Sequence, residues 1–310
     1  MSTPRSILWL PIYTDGDEHR SYPLDTLAVI RRDDPAVLVR TDPESDGLLF
    51  SGTSLEHLQE IFDKITDEYR VPAWKGEPRV RYIETIRHAA EGEGKYIRQT
   101  GGFGNYGHVK LRADPREAGN GPEFVNEIVG GVVPEPYIVP IEEGVREAAM
   151  AGILAGHEFT GLRVTLYDGS FHELDSNPMA FRIAASLAFQ DAAKRASPVV
   201  LEPVMTVVLT VMESNLPATL AEISARRGRV TGTNGAAGLA IVQASIPLAE
   251  MLRDTDPAPT IMEFEGFEPV SSRRDDADPA ASAVRNPSGP KPRTNSAAAE
   301  PELDIGSDWT

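Results

Sequence analysis

The residues best suited to chemistry lie in two short polar segments. Gln99-Thr100-Gly101-Gly102-Phe103-Gly104-Asn105-Tyr106-Gly107-His108 packs four glycines into seven residues, beside two aromatic rings and an imidazole. Glycine lets a backbone approach a partner closely. Aromatic rings stack on exposed bases, and Phe103 and Tyr106 are free to do so if the segment is a tip pressed against a partner. The second segment is Asp168-Gly169-Ser170-Phe171-His172-Glu173-Leu174-Asp175-Ser176. Its Asp-Gly pair marks a tight turn, and His172 could act as a donor to phosphate. Read alone, each segment has a plainer explanation. The first is a long hairpin loop with Tyr106 in the core. The second is a turn followed by a helix from Pro178, with Asp175 or Ser176 as its cap.

Bond-making chemistry is not indicated. Asp168, Ser170 and His172 are neighbours on one loop, which does not set up a nucleophile, base and orienting acid. No G-x-S-x-G elbow is present, and no G-x-x-x-x-G-K-S/T phosphate loop. The glycine cluster is not a dinucleotide fingerprint, because strand-like residues rather than a helix start follow Gly107. The six histidines form no H-x-x-x-H pair and there is no cysteine, so neither a zinc site nor a disulfide is expected. The sequence predicts no catalytic residue, no cofactor and no metal.

The whole chain has 310 residues and a net charge of −17, which argues against a simple basic nucleic-acid binder. The acidity is not concentrated: residues 77–201 hold 13 basic and 17 acidic side chains, and the rest is shared among the other segments. It reads as a solubility property. No apolar run is long enough to span a membrane, and Met1 to Leu10 shows no signal peptide. A soluble, cytoplasmic protein is expected.

The elements that must position the two segments follow from periodicity. Residues 6–76 read as β-α-β-β-α-β, the split βαβ order of a ferredoxin-like sandwich. Its first run, Ile7-Leu8-Trp9-Leu10-Pro11-Ile12, carries a proline that suits an edge strand. Ser54 caps a helix bearing Leu55, Leu58, Ile61, Phe62 and Ile65. Residues 202–271 repeat the order. In the central block, 77–201, strands are expected over Val80–Thr85, Tyr96–Thr100, Tyr106–Ala113, Phe124–Val129 and Leu162–Tyr167. Helices are expected over Glu142–Ala155 and Pro178–Arg195, the latter with proline in its first turn. Arg226-Arg227-Gly228 suits a helix end, and Arg229 could reach phosphate. From Ser272 the chain is rich in Ala, Pro and Ser without apolar period, and a disordered tail over 272–310 is expected.

Together these segments resemble the C-terminal half of translation elongation factor G. Arg81-Tyr82-Ile83-Glu84-Thr85-Ile86 is similar to the family's "YRETI". Gly101 to Val109 is similar to its first tip loop, Val129 to Ile138 to its "VGGxIPxEYI" stretch, and Asp168 to Ser176 to its second tip loop. Ala180-Phe181-Arg182, Leu201-Glu202-Pro203-Val204-Met205 and Arg226-Arg227-Gly228 continue in register. The likeness covers about residues 6–270.

It implies an α+β chain. The ferredoxin-like third domain would occupy 6–76, a fourth domain with the ribosomal-protein-S5-domain-2-like fold 77–201, and a second ferredoxin-like sandwich, the fifth domain, 202–271. It implies a fourth-domain tip that contacts the ribosome beside A-site RNA through Gly101, Gly102, Phe103, Gly104, Asn105, Tyr106, His108, Asp168, Gly169, Ser170 and His172. The family's GTP-binding and second domains have no counterpart in the sequence, so no GTP binding is expected. The family's "FGYATDLRSxTQGR" stretch after Pro247-Leu248-Ala249-Glu250-Met251 is also missing. The expected role is a GTPase-less ribosome-binding protein that modulates elongation. The alternatives are a protein-interaction module that has left the ribosome, or an accessory chain to a separate translational GTPase. The last would need an exposed apolar face, for which Leu8, Trp9 and Ile12 are candidates.

Overall fold

The structure, a computed structural model, describes residues 6–14, 24–34, 37–42, 45, 47–100, 103–118, 121–252 and 259–270. The tail expected to be disordered, 272–310, lies outside the described residues.

The first block is built from β1 (Leu8–Thr14), α1 (Leu24–Asp33), β2 (Val39–Thr41), β3 (Leu48–Gly52), α2 (Leu55–Asp63) and β4 (Ala73–Lys75). Its sheet order, β2-β3-β1-β4, is the expected split βαβ arrangement. Ser54 caps α2 by accepting from the His57 amide. The edge placement expected from Pro11 is wrong, because β1 lies between β3 and β4. The proline is tolerated because β4 pairs only from Ile12 onward. The carbonyl of Pro11 accepts from Gly76, just past the end of β4, so its missing N–H faces a gap in the ladder. Leu8, Trp9 and Ile12 are likewise not an open docking face. They are 2%, 4% and 0% exposed, since a central strand is covered on both sides.

A short linker then ties the blocks together. β5 (Arg79–Val80) pairs with β1, and β6 (Ile83–Ile86) pairs with residues 198–201 of the last block. The single strand expected over Val80–Thr85 is thus two pieces serving two different outer sheets.

The middle block holds β7 (Ala90–Thr100), β8 (Phe103–Pro115), β9 (Glu123–Asn126), α3 (Ile138–Ala151), β10 (Leu162–Ser170) and α4 (Pro178–Arg195). The sheet order is β7-β8-β10-β9, with β9 parallel to β10. Alanines 180, 184, 185, 188, 192 and 193 of α4 are fully buried. They bring the helix backbone so close to β7 that a Cβ on Gly94 would stand 2.0 Å from the Ala184 carbonyl oxygen. Phe159, Phe181 and Phe189 fill the remaining core.

The last block is β11 (Pro198–Met212), α5 (Leu216–Ala225), β12 (Arg229–Ala236), β13 (Leu239–Pro247), α6 (Leu248–Met251) and β14 (Ile261–Pro269), in the order β12-β13-β11-β14. Its Val207, Val242 and Ile246 join Leu10, Phe50 and Ile61 of the first block in one continuous apolar core. At the end of α5 the positive φ (57°) falls on Arg227, not on glycine. Gly228 instead sits where a Cβ would strike Ile223 and Ile246.

Candidate functional site

The two polar segments meet at one end of the middle sheet. β7 and β8 form a hairpin whose last described pair is Thr100 with Phe103. Gly101 and Gly102 lie outside the described residues, as does the side chain of Phe103. On the other side of β8, Gly169 pairs with Val109 and Ser170 with His108. Asp168 to Ser170, expected as loop, therefore extend β10. The hairpin is then stitched to the segment that follows. The Asp175 carboxylate accepts from the Gly104 amide at 3.0 Å, and the Asp175 carbonyl accepts from the Tyr106 amide at 2.8 Å. The Ser176 hydroxyl donates to the Tyr106 carbonyl at 3.1 Å, and the Asn177 amide donates to Asn105 Oδ1 at 2.8 Å.

Neither Asp175 nor Ser176 caps α4, because both are spent on the hairpin. The cap is Asn177, whose Oδ1 accepts from the Ala180 amide at 2.9 Å. The signal was present: an asparagine directly before an N1 proline fits the cap position.

Neighbouring strands place Glu93, Lys95, His108, Lys110, Asp168 and Ser170 on the sheet face opposite the helices. These groups pair with one another. Lys110 bridges Asp168 at 2.8 Å, and Lys95 bridges Glu93 at 2.8 Å. Hydrogen bonding from Lys110 holds the Asp168 carboxyl below its ordinary value, and the same contact raises Lys110. Lys95, and then His108, lower Glu93. His108, which the resemblance implies as a ribosome contact, is not free to reach a partner. It is 8% exposed, with Nε2 2.8 Å from Glu93 and Nδ1 2.7 Å from Ser170 Oγ. Ser170 Oγ also lies 2.8 Å from the Tyr106 hydroxyl. Glu93, His108, Ser170 and Tyr106 thus form a hydrogen-bonded chain that stiffens the tip, and Tyr106 is not free to stack.

The groups left facing outward are different. The His172 side chain is 55% exposed, with Nδ1 3.2 Å from the Asp175 carboxylate. Phe171 and Leu174 are 41% and 88% exposed. Val129, beside the positive-φ glycines 130 and 131, is 82% exposed. Its loop reaches the same end, since a Cβ on Gly169 would meet Val133 at 2.6 Å. This third loop and the apolar tip were missed because periodicity reports burial, and these residues are not buried. Arg98 is exposed and makes no ion pair among the described residues. Far away, Arg229 bridges Glu268 at 3.4 Å.

Among the described residues no group of three or more histidine, aspartate or glutamate side chains could hold a metal ion. A cavity of about 50 Å³ in the first block, lined by Ile30, Asp34, His57 and Tyr69, has room only for water.

Residues 78–197 match the family described as elongation factor G, domain IV, and residues 199–255 match the elongation factor G C-terminus. A crystal structure of a protein from Thermus thermophilus is 35% identical, with a TM-score of 0.56. The likeness covers 87% of this chain, so it extends beyond the two matched domains, but only 42% of the Thermus chain.

Proposed function

Since residues 78–197 and 199–255 place this chain in the elongation factor G family, we propose that it binds the ribosome through the tip of its middle block and modulates translation elongation from the A site. The observation that carries this reading is the convergence of the 103–108 and 168–176 segments, joined through Asp175, Ser176 and Asn177, into one braced finger. The tip is not a basic patch: Lys95 and Lys110 are matched by Glu93 and Asp168. Its contribution is shape, with His172, Phe171 and Leu174 as the outward contacts, and phosphate attraction is secondary. On this reading the described blocks act by binding, in the cytoplasm.

Co-sedimentation with purified ribosomes tests this. Wild type pellets with ribosomes, and the Phe103→Ala, His172→Ala double variant does so at least about fivefold more weakly, given about 1–3 kcal/mol for a stacked ring. Equal pelleting of the two proteins, or none of either, defeats the proposal.

A further inference from the structure

β7 is the edge strand of the middle sheet. In the order β7-β8-β10-β9 it pairs only with β8, in unbroken register from Ala90–Ala113 to Thr100–Phe103. A two-residue hairpin loop closes on a hydrogen-bonded pair, here Thr100 with Phe103, and bonded pairs recur at every second residue. The even-numbered residues of β7 therefore bond to β8, and the N–H and C=O groups of Glu91, Glu93, Lys95 and Ile97 point outward. Two contacts agree with that phase. The Glu93 amide donates to the Asp191 carboxylate of α4 at 3.2 Å. The amides of Gly104 and Tyr106, even-numbered in β8, point away from β7 to Asp175. Among the described residues the outward amides of Lys95 and Ile97 have no partner.

Native proteins blunt such an edge with proline, a bulge or a short strand. β7 has 11 residues, no proline and no bulge. Its charges instead complement themselves. Glu93, Gly94 and Lys95 are consecutive, so an antiparallel copy crossing at Gly94 sets each Glu93 opposite the other copy's Lys95. Crossings centred on Glu93 or on Lys95 would oppose like charges. The crossing at Gly94 also matches outward groups with outward groups, residue 91 with 97 and 93 with 95. The helix layer fits the same axis. A Cβ on Gly94 would touch Ala184 and Ala188 of α4, so Leu187 stands level with it. Leu187 is 42% exposed and lies one turn before Asp191, whose carboxylate reaches the outward side of the strand. It therefore faces the free edge, where a twofold axis sets it against its own copy.

We infer that this chain forms a homodimer by antiparallel pairing of β7 with β7 of a second copy about Gly94, with the two α4 helices packed side by side through Leu187. The two middle sheets become one continuous sheet, and the two tips project in opposite directions. The Asp191 carboxylate releases the Glu93 amide to the second copy and keeps Arg195, which it already holds at 3.0 Å.

Sedimentation velocity of the full chain over a concentration series tests this. The mass is expected to rise from 33.6 kDa towards twice that value. Lys95→Glu leaves only carboxylates facing one another across the axis. The Lys95 side chain is 52% exposed, so the fold tolerates the change, and the dimer is expected to weaken at least about tenfold. Ile97→Pro removes an outward N–H without touching the ladder to β8, and is expected to weaken the dimer while the melting temperature holds. The chain has no cysteine, so Glu91→Cys mixed with Ile97→Cys under mild oxidation should give a disulfide-linked pair that neither variant gives alone. A chain that stays monomeric throughout, a dimer indifferent to both Lys95→Glu and Ile97→Pro, or a mixture that does not cross-link overturns the inference. No ribosome enters these measurements, so their failure is separate from failure of the proposed function.

Discussion

Replacing Glu84 by glutamine is expected to loosen the middle block from its neighbours while leaving size and shape unchanged. The Glu84 carboxylate is fully buried. One oxygen accepts from the Ile153 and Leu154 amides at 2.7 and 3.0 Å, and the other from the Ala155 and His157 amides at 2.9 and 3.1 Å. Glutamine keeps one acceptor oxygen and presents an NH₂ to the other pair, so whichever way the amide turns, two buried N–H groups face a donor. At about 1–3 kcal/mol for each orphaned group, the cost is about 2–6 kcal/mol. At roughly 2–4 °C per kcal/mol for a protein of this size, the melting temperature falls by at least about 4 °C. Thermal melts followed by circular dichroism measure the loss, and hydrogen exchange locates it, with faster exchange confined first to amides 153–157. A variant within about 2 °C of wild type, with unchanged protection in that loop, would refute the reasoning.

Gly94→Ala forces a methyl to 2.0 Å from the Ala184 carbonyl oxygen. No side chain can turn aside to relieve that clash, so a loss of about 3 kcal/mol is expected in denaturant titrations. Gly121→Ala, where nothing stands within 4 Å, is the neutral control. His157 gives a pH signature. Burial holds its pKa below the usual 6.5, outweighing the attraction of Glu84. The folded state thus disfavours the charged imidazole, so its contribution is present above pH 6.5 and is lost as pH falls through the lowered value. His157→Gln should flatten that part of the stability profile, which melts between pH 7.5 and 5 would reveal. Leu174→Ala, at an 88% exposed position, should leave the melting temperature unchanged within error while weakening ribosome co-sedimentation.

Much of this protein was legible in the residues alone. Apolar spacing gave the two split βαβ blocks, since a strand or helix must present one face to a core whatever its neighbours are. α4 was read to its ends, Pro178 and Arg195, because proline at its start and charge at its close are local signals. What failed had non-local causes. Pro11 suggested an edge, yet β1 is central, because the partner strand stops short of it. Leu8, Trp9 and Ile12 suggested an open face, but one side of that strand joins the core shared by the outer blocks and the other faces the joint. The resemblance implied His108 as a ribosome contact, but Glu93 and Ser170 reach it from strands 15 and 62 residues away.

The sequence by itself determined that two glycine- and histidine-bearing segments exist, and that each lies beside a strand or helix able to hold it. Only the tertiary structure decided that they form one tip, which side chains there are spent on bracing and which face outward, and that Arg40 and Arg81, far apart in the chain, share the Trp9 ring. The reason is physical. Periodicity and capping are set within a few residues, whereas hydrogen-bond partners and the pairing of buried charge depend on strand register and block packing between residues far apart in the chain.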